Sequence, residues 1–189
     1  MTTEVYAVFT DEMLKILSSM KGKTLKAIEG VFHYGLTSTH GNVRLVLGQF
    51  AVDIECEDRI AELLDLEGKI FKEEFPRFSC RKKDLKDKFM PFVASEPVSF
   101  MINEVVSEVL LLRDEIKAGN GEHIYIDQAL VVKTAEKAYT FSRCEWFLSD
   151  IDINVSDKIE GYISVKKVKE AWNGEGRYSV DVNREFLFL

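Results

Sequence analysis

The chain has 189 residues, 46% of them apolar and 30% charged, with a formal net charge of −7. That length supports one large domain or two small ones around a sizeable core. The acidic balance argues against nucleic acid or an anionic membrane as the main partner, because both need a basic footprint.

Val5-Tyr-Ala-Val-Phe9 reads as a short strand. Thr10 offers an N-cap, Asp11 and Glu12 place negative charge in a first turn, and Met13, Leu14, Leu17 and Met20 keep helical spacing. A helix is therefore expected over 11–20, closed by Gly22. Strands follow over 24–34 and 42–56, with a turn at His40-Gly-Asn42. In the second of these the apolar parity switches between Val43, Leu45, Leu47 and Phe50, Val52, Ile54, Cys56. A β-bulge at Gly48 would return both runs to one face. Residues 59–66 suit a short helix carrying Ile60, Leu63 and Leu64 on one side. Residues 69–80 alternate poorly, and Pro76 argues against a central strand there.

Residues 81–90 form a charge-dense connector, and Pro91 and Pro97 bracket a break. This predicts an N-terminal β-rich half over 1–90, a connector over 91–97 and a C-terminal β-rich half over 98–189. In the second half, 98–117 and 122–133 read as a hairpin turning at Ala118-Gly-Asn-Gly121, where Gly and Asn accept positive φ. A second bulged strand is expected over 138–155, with Cys144, Trp146 and Leu148 on one parity and Ile151, Ile153 and Val155 on the other. A short helix over Val165 to Trp172 ends at Asn173-Gly-Glu-Gly176, and a strand over 177–189 closes the chain with Phe186-Leu-Phe-Leu189 tucked in. The expected class is mainly β or α+β, with two or three short helices.

A short similarity inside the chain supports two similar halves. Val52-Asp-Ile-Glu-Cys-Glu-Asp-Arg-Ile60 returns as Ile151-Asp-Ile-Asn-Val-Ser-Asp-Lys-Ile159. Asp53 matches Asp152, Ile54 matches Ile153, Asp58 matches Asp157 and Ile60 matches Ile159. A match at fixed offset is the signature of duplication.

The same segments carry the candidate site. Asp53, Glu55 and Glu57 alternate on one strand face, and Asp150 and Asp152 alternate in the matching place, followed by Asn154. The ordinary reading is the wet face of a half-buried strand. The functional reading is an acidic surface that seats a protein partner, or carboxylates brought together for a cation or for acid–base work. No EF-hand spacing is present, so no metal is assigned.

His33, His40 and His123 lie in separate segments without metal-ligand spacing, and the sequence leaves open whether they meet. Cys56, Cys80 and Cys144 form no CxxC pair, which fits a reducing compartment. No GxSxG elbow, P-loop or GxGxxG run occurs, so no catalytic residue and no cofactor is assigned. The basic run Arg81–Lys88 contains two aspartates and no interleaved aromatic, which suits a solvated connector. With no apolar run long enough to span a bilayer and no basic, apolar leader, a cytoplasmic location is expected. The leading expectation is a non-enzymatic binding protein that engages a protein partner through the acidic strand faces or the groove between the halves. The alternative is a small-molecule site, binding or enzymatic, at the junction of the halves.

Overall fold

A computed structural model describes residues 3–33, 35–65, 67–143, 150–174 and 179–189. Among these the protein is mostly β, with thirteen strands in two sheets and two helices.

The chain opens with β1 (Thr3–Ala7) and α1 (Asp11–Ser18). Thr10 caps α1, its side chain accepting the Met13 N–H, as the sequence predicts. Next come β2 (Thr24–Gly30), β3 (Phe32–His33), β4 (Ser38–Thr39), β5 (Asn42–Leu47), β6 (Ala51–Leu64), β7 (Ile70–Lys83) and β8 (Val98–Val105). The remainder is β9 (Glu108–Ala118), β10 (Glu122–Lys133), β11 (Ala138–Arg143), β12 (Ile151–Ser156), α2 (Val165–Gly174) and β13 (Val180–Phe188). One sheet has the order β7-β6-β5-β2-β8; the other runs β13-β9-β10-β11-β12-β4-β3, with β1 added in parallel to β10.

These sheets share a connectivity. In each, four consecutive antiparallel neighbours form a meander, and a fifth strand returns to pair with the first: β8 on β2, and β13 on β9. The residue match found in sequence does not follow that likeness. It aligns β6, the third strand of one meander, with β12, the fourth of the other. The chain also crosses between sheets. β8 lies beyond the 91–97 connector yet completes the five-stranded sheet, while β1, β3 and β4 join the eight-stranded one.

Several local expectations change for physical reasons. The parity switch around Gly48 is a chain reversal and not a bulge. Leu47 N–H bonds the Phe50 carbonyl at 2.8 Å, and β5 and β6 pair as a hairpin from Val46↔Ala51 onward. The expected helix over 59–66 is instead the distal part of β6, which pairs with β7 continuously to Leu64↔Ile70. Pro76 is accommodated because β7 is an edge strand. The expected 24–34 strand is interrupted after Gly30, where the chain passes to the other sheet. Residues 98–105 form a separate strand, while the hairpin through Ala118-Gly-Asn-Gly121 stands between β9 and β10. The expected turn residue Gly176 and the expected core positions Cys144, Trp146 and Leu148 lie outside the described residues.

The main core packs the two sheets face to face, joining Ile28, Leu45, Val52 and Ile54 to Leu111, Leu130, Phe141 and Ile153, with Leu17 of α1 and Met20 just after it. A second cluster gathers Ala7 of β1, Leu63 and Phe75 of the distal β6–β7 ribbon, Ile124 and Ile126 of β10, and Val168 and Trp172 of α2. The closing strand is tucked in on one parity only: Leu187 and Leu189 pack on the core, while Phe188 is 73% exposed.

β10 changes partners at Asp127-Gln128. Residues 122–126 pair with β1, residues 129–133 pair with β11, and the β9 register slips between Asp127 and Ala129. Two buried carboxylates hold this break. Asp127 accepts Arg113 Nε and Nη2 at 2.7 and 3.0 Å and the Phe9 N–H at 2.7 Å. Asp114 accepts Arg184 Nε and Nη2 at 2.6 and 2.7 Å and the Gln128 amide at 3.0 Å. Burial pushes the Asp127 carboxyl above its ordinary value, and Arg113 and the Phe9 amide pull against that.

Removing one partner of a buried ion pair leaves the other charge uncompensated. Asp127→Ala should therefore lower stability by about 3–5 kcal/mol in urea denaturation. Val155→Ala, at an exposed site, should stay within about 0.5 kcal/mol of wild type. A loss below about 1 kcal/mol for Asp127→Ala would contradict the role given to this pair.

Candidate groove between the two sheets

Where β1 runs beside the distal β6–β7 ribbon, a groove of about 480 Å³ opens. Its walls come from both sheets: all of β1 on one side, and Arg59 to Glu62 of β6 with Phe75 and Arg77 of β7 on the other.

The phase of β1 follows from its parallel ladder. Thr3 N–H bonds the Gly121 carbonyl at 3.3 Å, so Thr3, Val5 and Ala7 turn their backbone groups toward β10. Glu4, Tyr6 and Val8 then turn theirs away. The Val8 carbonyl confirms this, because it accepts Arg77 Nη2 at 3.0 Å on that outer side.

β6 outruns β5, which pairs with it only as far as Glu55. Beyond that point its side away from β7 meets other groups. Cys56 N–H bonds the Gly41 carbonyl at 2.6 Å, Leu64 N–H bonds the Glu122 carboxylate, and the Leu64 carbonyl accepts the Asn120 amide at 3.3 Å. By alternation Asp58, Ile60 and Glu62 turn their backbone groups the same way. Among the described residues no ladder joins β1 to β6.

Two large apolar side chains stand open here: Tyr6 is 56% exposed and Ile60 72%. Tyr6 stacks on Tyr125 at 5.0 Å between ring centres, and His123 tilts against Tyr125 at 4.5 Å. Tyr6 also donates to Glu4 Oε2 at 2.8 Å, and that bond to a carboxylate raises its phenol pKa. Arg59 bonds Glu57 at 2.5 Å. Arg77 Nε is buried without a hydrogen-bond partner.

The acidic residues singled out in sequence are placed differently from expectation. Asp53 is not on a wet face. It is 6% exposed and held by Arg44 Nε and Nη2 at 2.6 and 2.9 Å, because the β5–β6 hairpin sets Arg44 opposite Asp53. Glu55 is half-buried 3.4 Å from Arg81, and Glu57 is bonded to Arg59. Asp150 bonds His40 Nδ1 at 2.9 Å, and Asp152 lies opposite Ser142 and Ser38 in its sheet. The two rows sit in different sheets and form no shared ladder. Gly41 takes the Cys56 N–H while its neighbour His40 holds Asp150.

Two of the three histidines meet. The His33 and His40 rings lie 4.1 Å apart, edge to face, whereas His123 is elsewhere, bonded to Glu115 Oε1 at 2.7 Å. Cys56 and Cys80 are buried, and burial pushes both thiols up to about 12, which closes them to nucleophilic chemistry near neutral pH. Among the described residues no group of three or more His, Cys, Asp or Glu is arranged to hold a metal ion, and no helix is long and apolar enough to cross a membrane.

The connector after β7 is seated rather than free. Asn42 donates to the Met90 carbonyl at 2.8 Å and accepts Phe92 N–H at 3.2 Å, while Arg44 lies 5.3 Å from the centre of the buried Phe89 ring. No protein family, curated protein or solved structure matches the chain.

Sequence reading missed Tyr6, Ile60 and Arg77. Their only sequence signal is parity: Tyr6 falls opposite Val5 and Ala7, and an exposed Ile60 interrupts an otherwise charged stretch.

Burial is the largest influence on Glu55 and raises its carboxyl, opposed by Arg81. The folded state then holds that proton more tightly than the unfolded state, so stability falls as pH rises from the unfolded carboxylate value through the folded one. Glu55→Gln should be more stable than wild type at pH 7 and equal to it at pH 3, in urea titrations at both. Lower stability of the variant at pH 7 would mean that the Arg81 pair outweighs burial.

Proposed function

We propose that the protein is a non-enzymatic, cytoplasmic binding protein that engages a protein partner through the groove between its two sheets. One observation carries this reading: the groove is bordered by two strand edges that no ladder joins among the described residues, and it displays Tyr6 and Ile60 to solvent. Exposed aromatic and aliphatic side chains beside a concavity are the usual anchors of a protein contact. The acidic ladder is not free for a partner in this reading, since Asp53, Glu55 and Glu57 already meet arginines of the same chain. A small-molecule site is supported less well, because charged side chains and strand edges form much of the lining.

Affinity capture from native cytosol, read by mass spectrometry, tests this. Wild type should recover one dominant protein, Val155→Glu should keep it, and Ile60→Glu should reduce recovery at least tenfold, an effect of about 1.4 kcal/mol or more. Retention by Ile60→Glu would remove the groove from the account.

A further inference from the structure

The sheet edges of this protein are not treated alike. β7 carries Pro76 and Lys72, both common guards against unwanted strand pairing. β3 is only two residues long, β13 carries Asp181, Arg184 and Glu185, and β8 is kinked at Asn103, whose φ is 63°. β1 carries a single charge, Glu4, and no proline, lysine or bulge over Thr3–Ala7, and it turns the backbone groups of Glu4 and Tyr6 outward along the groove. Such an edge is complementary to one kind of object, a second extended backbone.

Both signs of charge line the groove, Glu4 and Glu62 with Arg59 and Arg77, and the two arginines stand on the β6–β7 wall. Arg77 spends Nη2 on the Val8 carbonyl, which tethers the guanidinium beside β1, while its buried Nε has no acceptor. The part of the Arg77 guanidinium that lines the groove favours a carboxylate, which can take a charge-assisted bond. Arg59 adds a second positive charge on the β6 wall, although Glu57 already shares it.

From this placement we infer that the occupant of the groove is an extended peptide segment that adds to the outer edge of β1 as a strand and sets an acidic side chain against Arg77. This rests on the groove being the binding site. The five residues of β1 span roughly 17 Å, enough to register a five-residue segment. Main-chain bonds to Glu4 and Tyr6 would hold the segment, Tyr6 and Ile60 would contact alternate side chains, and Arg77 would select the acid.

The test uses fluorescein-labelled nine-residue peptides of alternating Val and Thr with lysine ends, each carrying one Glu at a different internal position. Binding to the full chain is read by anisotropy. At least one position should give saturable binding, and methylating alternate backbone nitrogens of that peptide should weaken it at least tenfold. Replacing its Glu by Gln should weaken binding to wild type but not to Arg77→Gln. Tyr6→Pro, which removes an outward N–H without touching the β10 ladder, should abolish binding while thermal melting stays cooperative. Equal binding of the methylated peptide, or no binding by any member, overturns the inference. So would self-association of the chain in sedimentation that Tyr6→Pro abolishes, because the edge would then belong to a second copy. If Ile60→Glu loses the captured partner while the peptides fail, the groove stands and the strand addition falls; if Ile60→Glu keeps the partner, the groove itself falls.

Discussion

The exchange of partners along β10 at Asp127-Gln128 is the constraint from which the rest of the arrangement follows. A single strand pairs first with β1 and then, past an irregularity, with β11. The break leaves polar groups inside the protein, and two bidentate arginine–carboxylate pairs engage them. Asp127 also takes the Phe9 N–H, fixing the chain just after β1. β1 is therefore held along one side of β10 with its other side open.

The second half of the groove has a different origin. β5 is short and β6 is long, so among the described residues the distal β6–β7 ribbon has no strand beside it on the β5 side. Its far end is tied back to the turn before β10 by Glu122 and Asn120, and Leu63 and Phe75 pack with Ala7, Ile124 and Trp172. Packing brings the two edges near one another, yet no ladder joins them among the described residues. The groove is thus a by-product of unequal strand lengths in one sheet and a partner exchange in the other, and its wall residues are fixed by two separate cores.

How much of this the sequence disclosed depends on the range of the interaction. Thr10 before the α1 helix and the Gly-Asn-Gly turn before β10 act within a few residues, and both were legible. Parity at Gly48 was seen but has two causes, since a bulge and a reversal each change which side an apolar run faces. Choosing the reversal would have placed Arg44 opposite Asp53 and shown that the acidic ladder is partly spent inside the fold. The stretch around Ile60 resembled a helix face because apolar spacing over a few residues does not separate helix from strand. The groove was not legible at all: an edge is defined by what fails to pair with it, and only the whole sheet order decides that.

Among the described residues the outer side of β1 and the facing side of distal β6 are unpaired, and the proposed binding site depends on this. Amide hydrogen exchange, resolved residue by residue by NMR in the free protein, tests it most directly. Val5 and Ala7, bonded to β10, should exchange slowly, while Glu4, Tyr6, Ile60 and Glu62 should exchange rapidly under the same conditions. Protection of Glu4 and Tyr6 equal to that of Val5 and Ala7 would mean that the protein already covers this edge, and the groove would not be a binding site.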